Sequence, residues 1–230
     1  MEQEKTKTLI KTSFFEKREA VEKLIEESSL TKEFYFLLFS STTIITLGLA
    51  LDNSSIIIGG MLITPLFSPL LKIGLGIILS NKNIITKNFV SFLKLFGLVA
   101  ITSFVLSFII NVKEPTIEIL LRTSSRYEYF LVALISGFIG TYFWIKPNLQ
   151  NLISGIIIAV ALVPPISCLG IGLSLLNKDI ITGSLIFFIL NFIGILFGSI
   201  FMFSLSGFGR KEKKSEEIIE KKLEADCKTN

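Results

Sequence analysis

An apolar segment that contains glycine and proline occurs twice in this sequence, as residues 56–86 and again as residues 152–182. The copies align without a gap, 96 positions apart, and about 14 of about 40 aligned residues are identical. Pro69 aligns with Pro165, and the same Asn-Lys turn follows in both copies. Two unrelated apolar segments do not share so many positions, so the sequence predicts a duplicated membrane unit.

The composition places this unit in a membrane. Of the 230 residues, 50% are hydrophobic and 18% are charged, and the mean hydropathy is +0.68. Apolar runs of about 18 residues or more, each able to cross a ~30 Å hydrocarbon core, alternate with charged segments. We therefore expect an all-α membrane protein with six transmembrane helices, at residues 34–51, 54–79, 88–110, 129–145, 149–176 and 180–205.

These spans divide into two three-helix repeats, and the second helix of each is broken by glycine and proline. An odd number of spans per repeat inverts the second copy, which predicts a pseudo-two-fold axis in the membrane plane. With both termini in the cytoplasm, about 17 Lys and Arg residues lie inside and about 4 outside, so the positive-inside rule favours this orientation in the cell membrane. The predicted units are a cytoplasmic amphipathic arm (residues 1–33), the first repeat (34–110), an external connection (111–128), the second repeat (129–206) and a charged cytoplasmic tail (207–230).

Two polar features lie outside the apolar runs. Residues 13–30 have an amphipathic pattern, which favours a helix on the membrane surface or against the bundle over a partner-binding element. Asp52 ends the first span, and we interpret it as a turn residue rather than a cation or proton ligand.

The broken spans provide the candidate site. Proline removes a backbone hydrogen bond that lipid cannot replace, so breaks at matching depth in two repeats predict a site near the membrane midplane. The alternative is a pair of kinks that let helices pack closely. The residues at or near the breaks that could bind a solute are Thr64, Pro65, Ser68, Pro69, Pro164, Pro165, Ser167 and Asn191. Carbonyls and hydroxyls suit a cation or a neutral solute, whereas helix N-termini suit an anion, so the solute stays open.

Lys72 and Lys94 lie within predicted spans, at about the same depth on the cytoplasmic side. They could form a cationic vestibule that contacts an anionic solute or a lipid phosphate. The simpler interpretation is that both side chains snorkel to the headgroups. The aligned residues of the second repeat are Cys168 and Leu190, so these charges are not part of the duplicated pattern.

The residue types present argue against an enzyme. The chain has no histidine, no clustered carboxylates in its spans and no glycine-rich phosphate loop, so we predict no catalytic residues, metal or cofactor. The basic termini indicate contact with lipid rather than nucleic acid. The expected partners are the lipid bilayer and an unidentified small solute or ion, and a bundle of this size is compatible with a homo-oligomer.

Residues 58–69 and 159–172 resemble the two signature segments of a prokaryotic membrane family, known as domain of unknown function 389 or uncharacterised hydrophobic domain. Residues 121–123 and Asn191 also resemble its pattern, and the resemblance extends over about residues 32–206. It implies an integral membrane protein with no settled substrate.

Two functions are compatible with these features. The first is a small-solute or ion transporter or permease, with its site at the interface of the repeats. The alternative is a non-transporting membrane scaffold, lipid-binding or sensing protein that acts through its charged termini.

Overall fold

The computed structural model describes residues 14–124, 127–146, 149 and 162–208. Within these ranges the chain forms helices and no strand, as the sequence predicts. The helices are α1 (Phe14–Glu27), α2 (Lys32–Ala50), α3 (Ser54–Leu62), α4 (Phe67–Ile78), α5 (Lys82–Ile110), α6 (Ile117–Leu121), α7 (Tyr127–Ile145), α8 (Val163–Ser174) and α9 (Lys178–Leu205).

Helices α2, α5, α7 and α9 are long and apolar enough to cross a membrane, so this is a multi-pass membrane protein. Helices α3 and α4 together are also long and apolar enough for a fifth span, with a bend of 56° between them. The predicted fifth span, residues 149–176, is represented by the shorter apolar helix α8, and residues 150–161 lie outside the described residues. The total of six spans and their inverted arrangement therefore stay predictions.

The most enclosed elements are the two short helices that contain prolines. Ten consecutive residues of α4, from Phe67 to Gly76, are buried, and so are the first six residues of α8. The long helices instead have one buried face and one exposed apolar face, as lipid-facing helices do. The core of the bundle is therefore built around α4 and α8.

Both short helices end in the same turn. Asn81 and Asn177 follow a residue of positive φ (55° and 52°), and their side chains cap the next helix. The Asn81 N–H donates to the carbonyl of Gly76 over 3.1 Å, and the Asn177 N–H donates to that of Gly172 over 3.0 Å. The repeated sequence thus has the same local structure in both copies at this turn.

Helices α7 and α9 approach each other closely through glycine. Gly194 and Gly198 form a Gly-x-x-x-Gly pair on α9, which allows backbones to touch. A Cβ added at Gly198 would lie 2.1 Å from the carbonyl oxygen of Leu134, and one at Gly137 would lie 2.4 Å from that of Ile195. This interface has no space for larger residues at these positions.

The connection between α5 and α7 is held by Asp52, which has a φ of 52° just after α2. Its carboxylate accepts the backbone N–H of Glu118 at 2.8 Å, at the start of α6. Glu118 accepts hydrogen bonds from Ser54 and forms an ion pair with Arg122. Asp52 therefore acts as a turn residue that ties the connection to the bundle.

Helix α1 lies within the arm for which the sequence predicts an amphipathic helix, and it packs against α4 and α7. Its side chains Ala20, Val21 and Leu24 are buried. Trp144 Nε1 donates to the carbonyl of Ala20 at 3.1 Å, and Lys146 pairs with Glu16 at 3.0 Å. The predicted charged tail lies outside the described residues from residue 209 onward.

The close α7–α9 interface makes a testable prediction. Gly137→Ala and Gly198→Ala each place Cβ against a backbone carbonyl, so we expect either to lower stability by about 1–3 kcal/mol. Gly97→Ala is the matched control, because nothing lies within 4 Å of the Cβ it adds. The unfolding midpoint of detergent-purified protein measures the difference, and equal midpoints for all three variants would contradict this packing.

The docking of α1 makes a second prediction. Trp144→Phe keeps an aromatic ring but removes the hydrogen bond to Ala20, a loss of about 1 kcal/mol. We expect trypsin to cleave this variant several-fold faster at Arg18 and Lys23, and mass spectrometry measures the rate. Tyr129→Phe, at the other end of α7, is the control and should leave the cleavage rate unchanged. A Trp144→Phe rate equal to that of the unmodified protein would show that this bond does not hold α1.

Candidate functional site

The first break lies between α3 and α4 and includes Thr64 and Pro65. The Thr64 hydroxyl is buried and donates to the carbonyl of Gly60 at 3.1 Å. Ser68 and Pro69 follow in the first turn of α4, and both are buried. No side chain caps the start of α4, so its first N–H groups have no partner from a capping residue.

The start of α8 has the same character. Pro164 and Pro165 occupy its first turn, where the N–H groups they lack would have had no partner within the helix. No side chain caps this helix either. Ser167 is fully buried, and its hydroxyl has no hydrogen-bond partner among the described residues. A buried hydroxyl without a partner is costly, which makes this position a candidate for contact with a solute or water.

The two short helices pack on the long helices in a reciprocal way. A Cβ added at Gly74 on α4 would lie 2.7 Å from the hydroxyl of Ser199 on α9. A Cβ added at Gly170 on α8 would lie 2.8 Å from the Cβ of Ser103 on α5. Gly74 aligns with Gly170, and Ser103 aligns with Ser199, at the spacing of 96 residues that relates the two copies.

Asn191 also belongs to this central region. It lies on α9, is 5% exposed, and interacts with another group of the protein. Helix α9 packs against both α4 and α8, and α3 contacts α8. The structure thus brings the elements that carry the predicted break residues into one cluster of helices, while the roles of these residues stay predictions.

A cavity of about 290 Å³ lies beside the first break. Three of its lining residues are lysines, and most of the others are polar. The lining residues are Ser28, Leu30, Pro69, Lys72, Thr86, Lys87, Asn88, Val90, Ser91 and Lys94. We call this space the basic cavity. Its walls come from α4, α5 and the connection between α1 and α2.

The basic cavity brings Lys72 and Lys94 together, at different degrees of burial. Lys72 is 1% exposed, so its side chain is enclosed by protein rather than extended along an exposed surface. Lys94 and Lys87 are exposed. Whether these lysines contact an anion or a lipid stays a prediction.

The candidate site predicted from the sequence included neither Lys87 nor Ser91. Lys87, Ser91 and Lys94 follow one another at spacings of four and three residues, which places them on one face of α5. This periodicity is readable in the sequence. The contribution of Ser28 to the basic cavity cannot be read from the sequence, because it depends on where α1 docks.

The arrangement limits the chemistry available. In the part of the chain that the structure describes, no group of three His, Cys, Asp or Glu residues could hold a metal ion. Cys168 is fully buried beside Ser167 and is a free thiol. The polar groups at the predicted site are hydroxyls, helix N-termini and lysine side chains.

Comparison with known proteins gives a family but no activity. An uncharacterized protein of Methanocaldococcus jannaschii is 26% identical over 212 residues, which is 87% of this chain and 66% of that protein. The chain thus spans slightly less than two thirds of that relative's length. No solved structure matches this chain significantly. A family model described as "Domain of unknown function (DUF389)" matches residues 61–197, well over half of the sequence, and the chain belongs to this family.

Proposed function

We propose that the protein transports a small solute or ion, with a site where the broken helices of two inverted repeats pack against the opposite repeat. The observation that carries this proposal is the reciprocal contact of Gly74 with Ser199 and of Gly170 with Ser103. In a two-fold arrangement, a contact between two residues recurs with the copies exchanged. The 96-residue shift converts one of these contacts into the other, which supports a two-fold relation between the copies.

An inverted relation follows if each copy crosses the membrane three times, because an odd number of spans reverses the second copy. Transporters built this way hold their solute at broken helices near the midplane, and one repeat rocks against the other. The central position of α4 and α8 is in keeping with this architecture.

The polar groups at the breaks support a solute site over a pair of packing kinks. Kinks alone account for the prolines and glycines. They do not account for two uncapped helix starts within the bundle, or for the Ser167 hydroxyl, which has no partner among the described residues. Such groups gain free energy when a polar solute or water enters.

Thiol labelling tests the proposal. In a background with Cys168→Ser and Cys227→Ser, the single-cysteine variants Ser68→Cys and Ser167→Cys are treated with a membrane-impermeant thiol reagent. We expect both to be labelled, from the outside in intact cells and from the cytoplasmic side in inverted vesicles. Alternating access opens the same position to each side in turn.

Ala133→Cys in the same background is the matched control. Ala133 is buried in the α7–α9 interface against Gly194, so this thiol should react only after unfolding. If Ser68→Cys and Ser167→Cys behave like the control, the breaks are packed and dry, and the transport proposal fails. The scaffold, lipid-binding or sensing function would then be the better account.

A further inference from the structure

We propose that the basic cavity binds a phosphate-bearing anion, either free phosphate or the headgroup of an anionic phospholipid. The proposal does not depend on transport, since it rests on Lys72, Lys87 and Lys94 and not on the two-fold contacts. The cavity is about 290 Å³, close to the lower end of the range of small-molecule sites. That volume holds one small anion with some of its water.

The charge of the lining selects the ligand. Three lysines line one small space, and no acidic residue is among the lining residues that the structure describes. An anion placed among several lysines gains favourable electrostatic interactions, which are stronger beside a low-dielectric wall than in water. A cation is excluded by the same field. A free phosphate carries more negative charge than a carboxylate, and both a free phosphate and a phospholipid phosphodiester offer phosphate oxygens as acceptors.

The donors around the lysines suit phosphate oxygens. Each ammonium has three N–H donors on a flexible stem, and Thr86 and Ser91, which carry hydroxyl groups, also line the cavity. Lys72 and Lys87 already interact with other groups of the protein, so an anion would add to interactions that hold these side chains. Lys72 is 1% exposed, so it is the most buried of the three lysines that line the cavity.

The wall formed by the α1–α2 connection is fixed rather than loose. The Ser28 hydroxyl donates to the carbonyl of Leu24, and Ser28 is 5% exposed. Helix α1 is in turn anchored by the Trp144–Ala20 hydrogen bond and the Lys146–Glu16 ion pair. The cavity is therefore lined by residues from three elements of the fold, and one of its lysines, Lys72, is buried.

The lysines of this cavity are not repeated in the second copy. The residues aligned with Lys72, Lys87 and Lys94 are Cys168, Gly183 and Leu190. None of the three charges is repeated, so the charge of this cavity is a feature of the first copy.

The surroundings allow either source of the phosphate. Phe89, Val90 and Leu93 are exposed on α5 beside the cavity, and acyl chains of a lipid could lie over them while its headgroup enters. A free phosphate would enter from water without this contact. The chemistry recognised by the lysines is the same in both cases.

The first arm of the test uses inorganic phosphate and the full-length protein in detergent. We expect phosphate to raise the thermal unfolding midpoint above that in chloride of equal ionic strength, because it binds the folded state. Titration calorimetry then gives the dissociation constant. We expect the dissociation constant for phosphate to rise by about tenfold or more in Lys87→Gln/Lys94→Gln and in Lys72→Gln. Each of these variants loses charge-assisted hydrogen bonds to the anion.

The matched control is Lys113→Gln/Lys178→Gln, which removes the same charge from two exposed lysines outside the cavity. It should bind phosphate like the unmodified protein. Because Lys72 is buried, its variant is first checked by size-exclusion chromatography. If that variant does not fold, the exposed pair Lys87→Gln/Lys94→Gln decides the question.

The second arm uses bilayers of phosphatidylcholine with and without phosphatidylglycerol, and native mass spectrometry of the protein extracted from them. Retention of phosphatidylglycerol by the unmodified protein, with loss in Lys87→Gln/Lys94→Gln, assigns the cavity to a lipid headgroup. Binding of inorganic phosphate with no lipid retained assigns it to a free anion. The proposal is overturned if the protein binds neither probe, or if the cavity variants bind as well as the control.

Discussion

The backbone of a membrane protein cannot leave hydrogen-bonding groups exposed to lipid, and this constraint organises the whole bundle. Helices α4 and α8 begin within the bundle at prolines, with no side-chain cap, so their first turns need to be enclosed. The structure meets this need by burying ten consecutive residues of α4 and the first six of α8. The four long helices, whose backbones are internally bonded, take the lipid-facing positions with their exposed phenylalanine and leucine side chains.

Enclosing a broken helix requires its neighbours to come close, and small residues make this approach feasible. Lipid supplies little hydrophobic driving force between helices, so contact depends on packing and on polar groups. Gly74 and Gly170 present bare backbone to serines of α9 and α5. Thr46 and Ser103 share a buried hydrogen bond at 2.9 Å between α2 and α5, which adds a polar contact to the same layer. Close packing and internal polar bonding thus act together around the breaks.

The parts of the fold that could be predicted from sequence have local causes. Asn81 and Asn177 each follow an apolar run and cap the next helix, so the repeated turn was visible in the sequence. The break before α4 was also predictable, because proline interrupts a helix locally, whereas the 56° angle between α3 and α4 was not predicted. The bond from Asp52 to Glu118 joins residues 66 positions apart, and no local pattern indicates it. Lys87 and Ser28 meet in the basic cavity only because α1 docks on the bundle through Trp144, a contact between distant parts of the chain.

The two copies of the repeat share the residues that build turns and helix contacts but differ in charge. This difference bears on the side of the membrane from which an anion would approach. Residues that build the turn and the helix contacts are retained in both copies, as glycine at 74 and 170 and as asparagine at 81 and 177. The lysines at 72, 87 and 94 occur in the first copy alone. If the copies are inverted as the sequence predicts, two copies with the same charges would present the same surface to both sides of the membrane. Charges confined to one copy, beside an arm that precedes that copy in the chain, make the two sides unequal. An anion attracted to the basic cavity would therefore approach from one side, and the duplicated scaffold alone could not provide that preference.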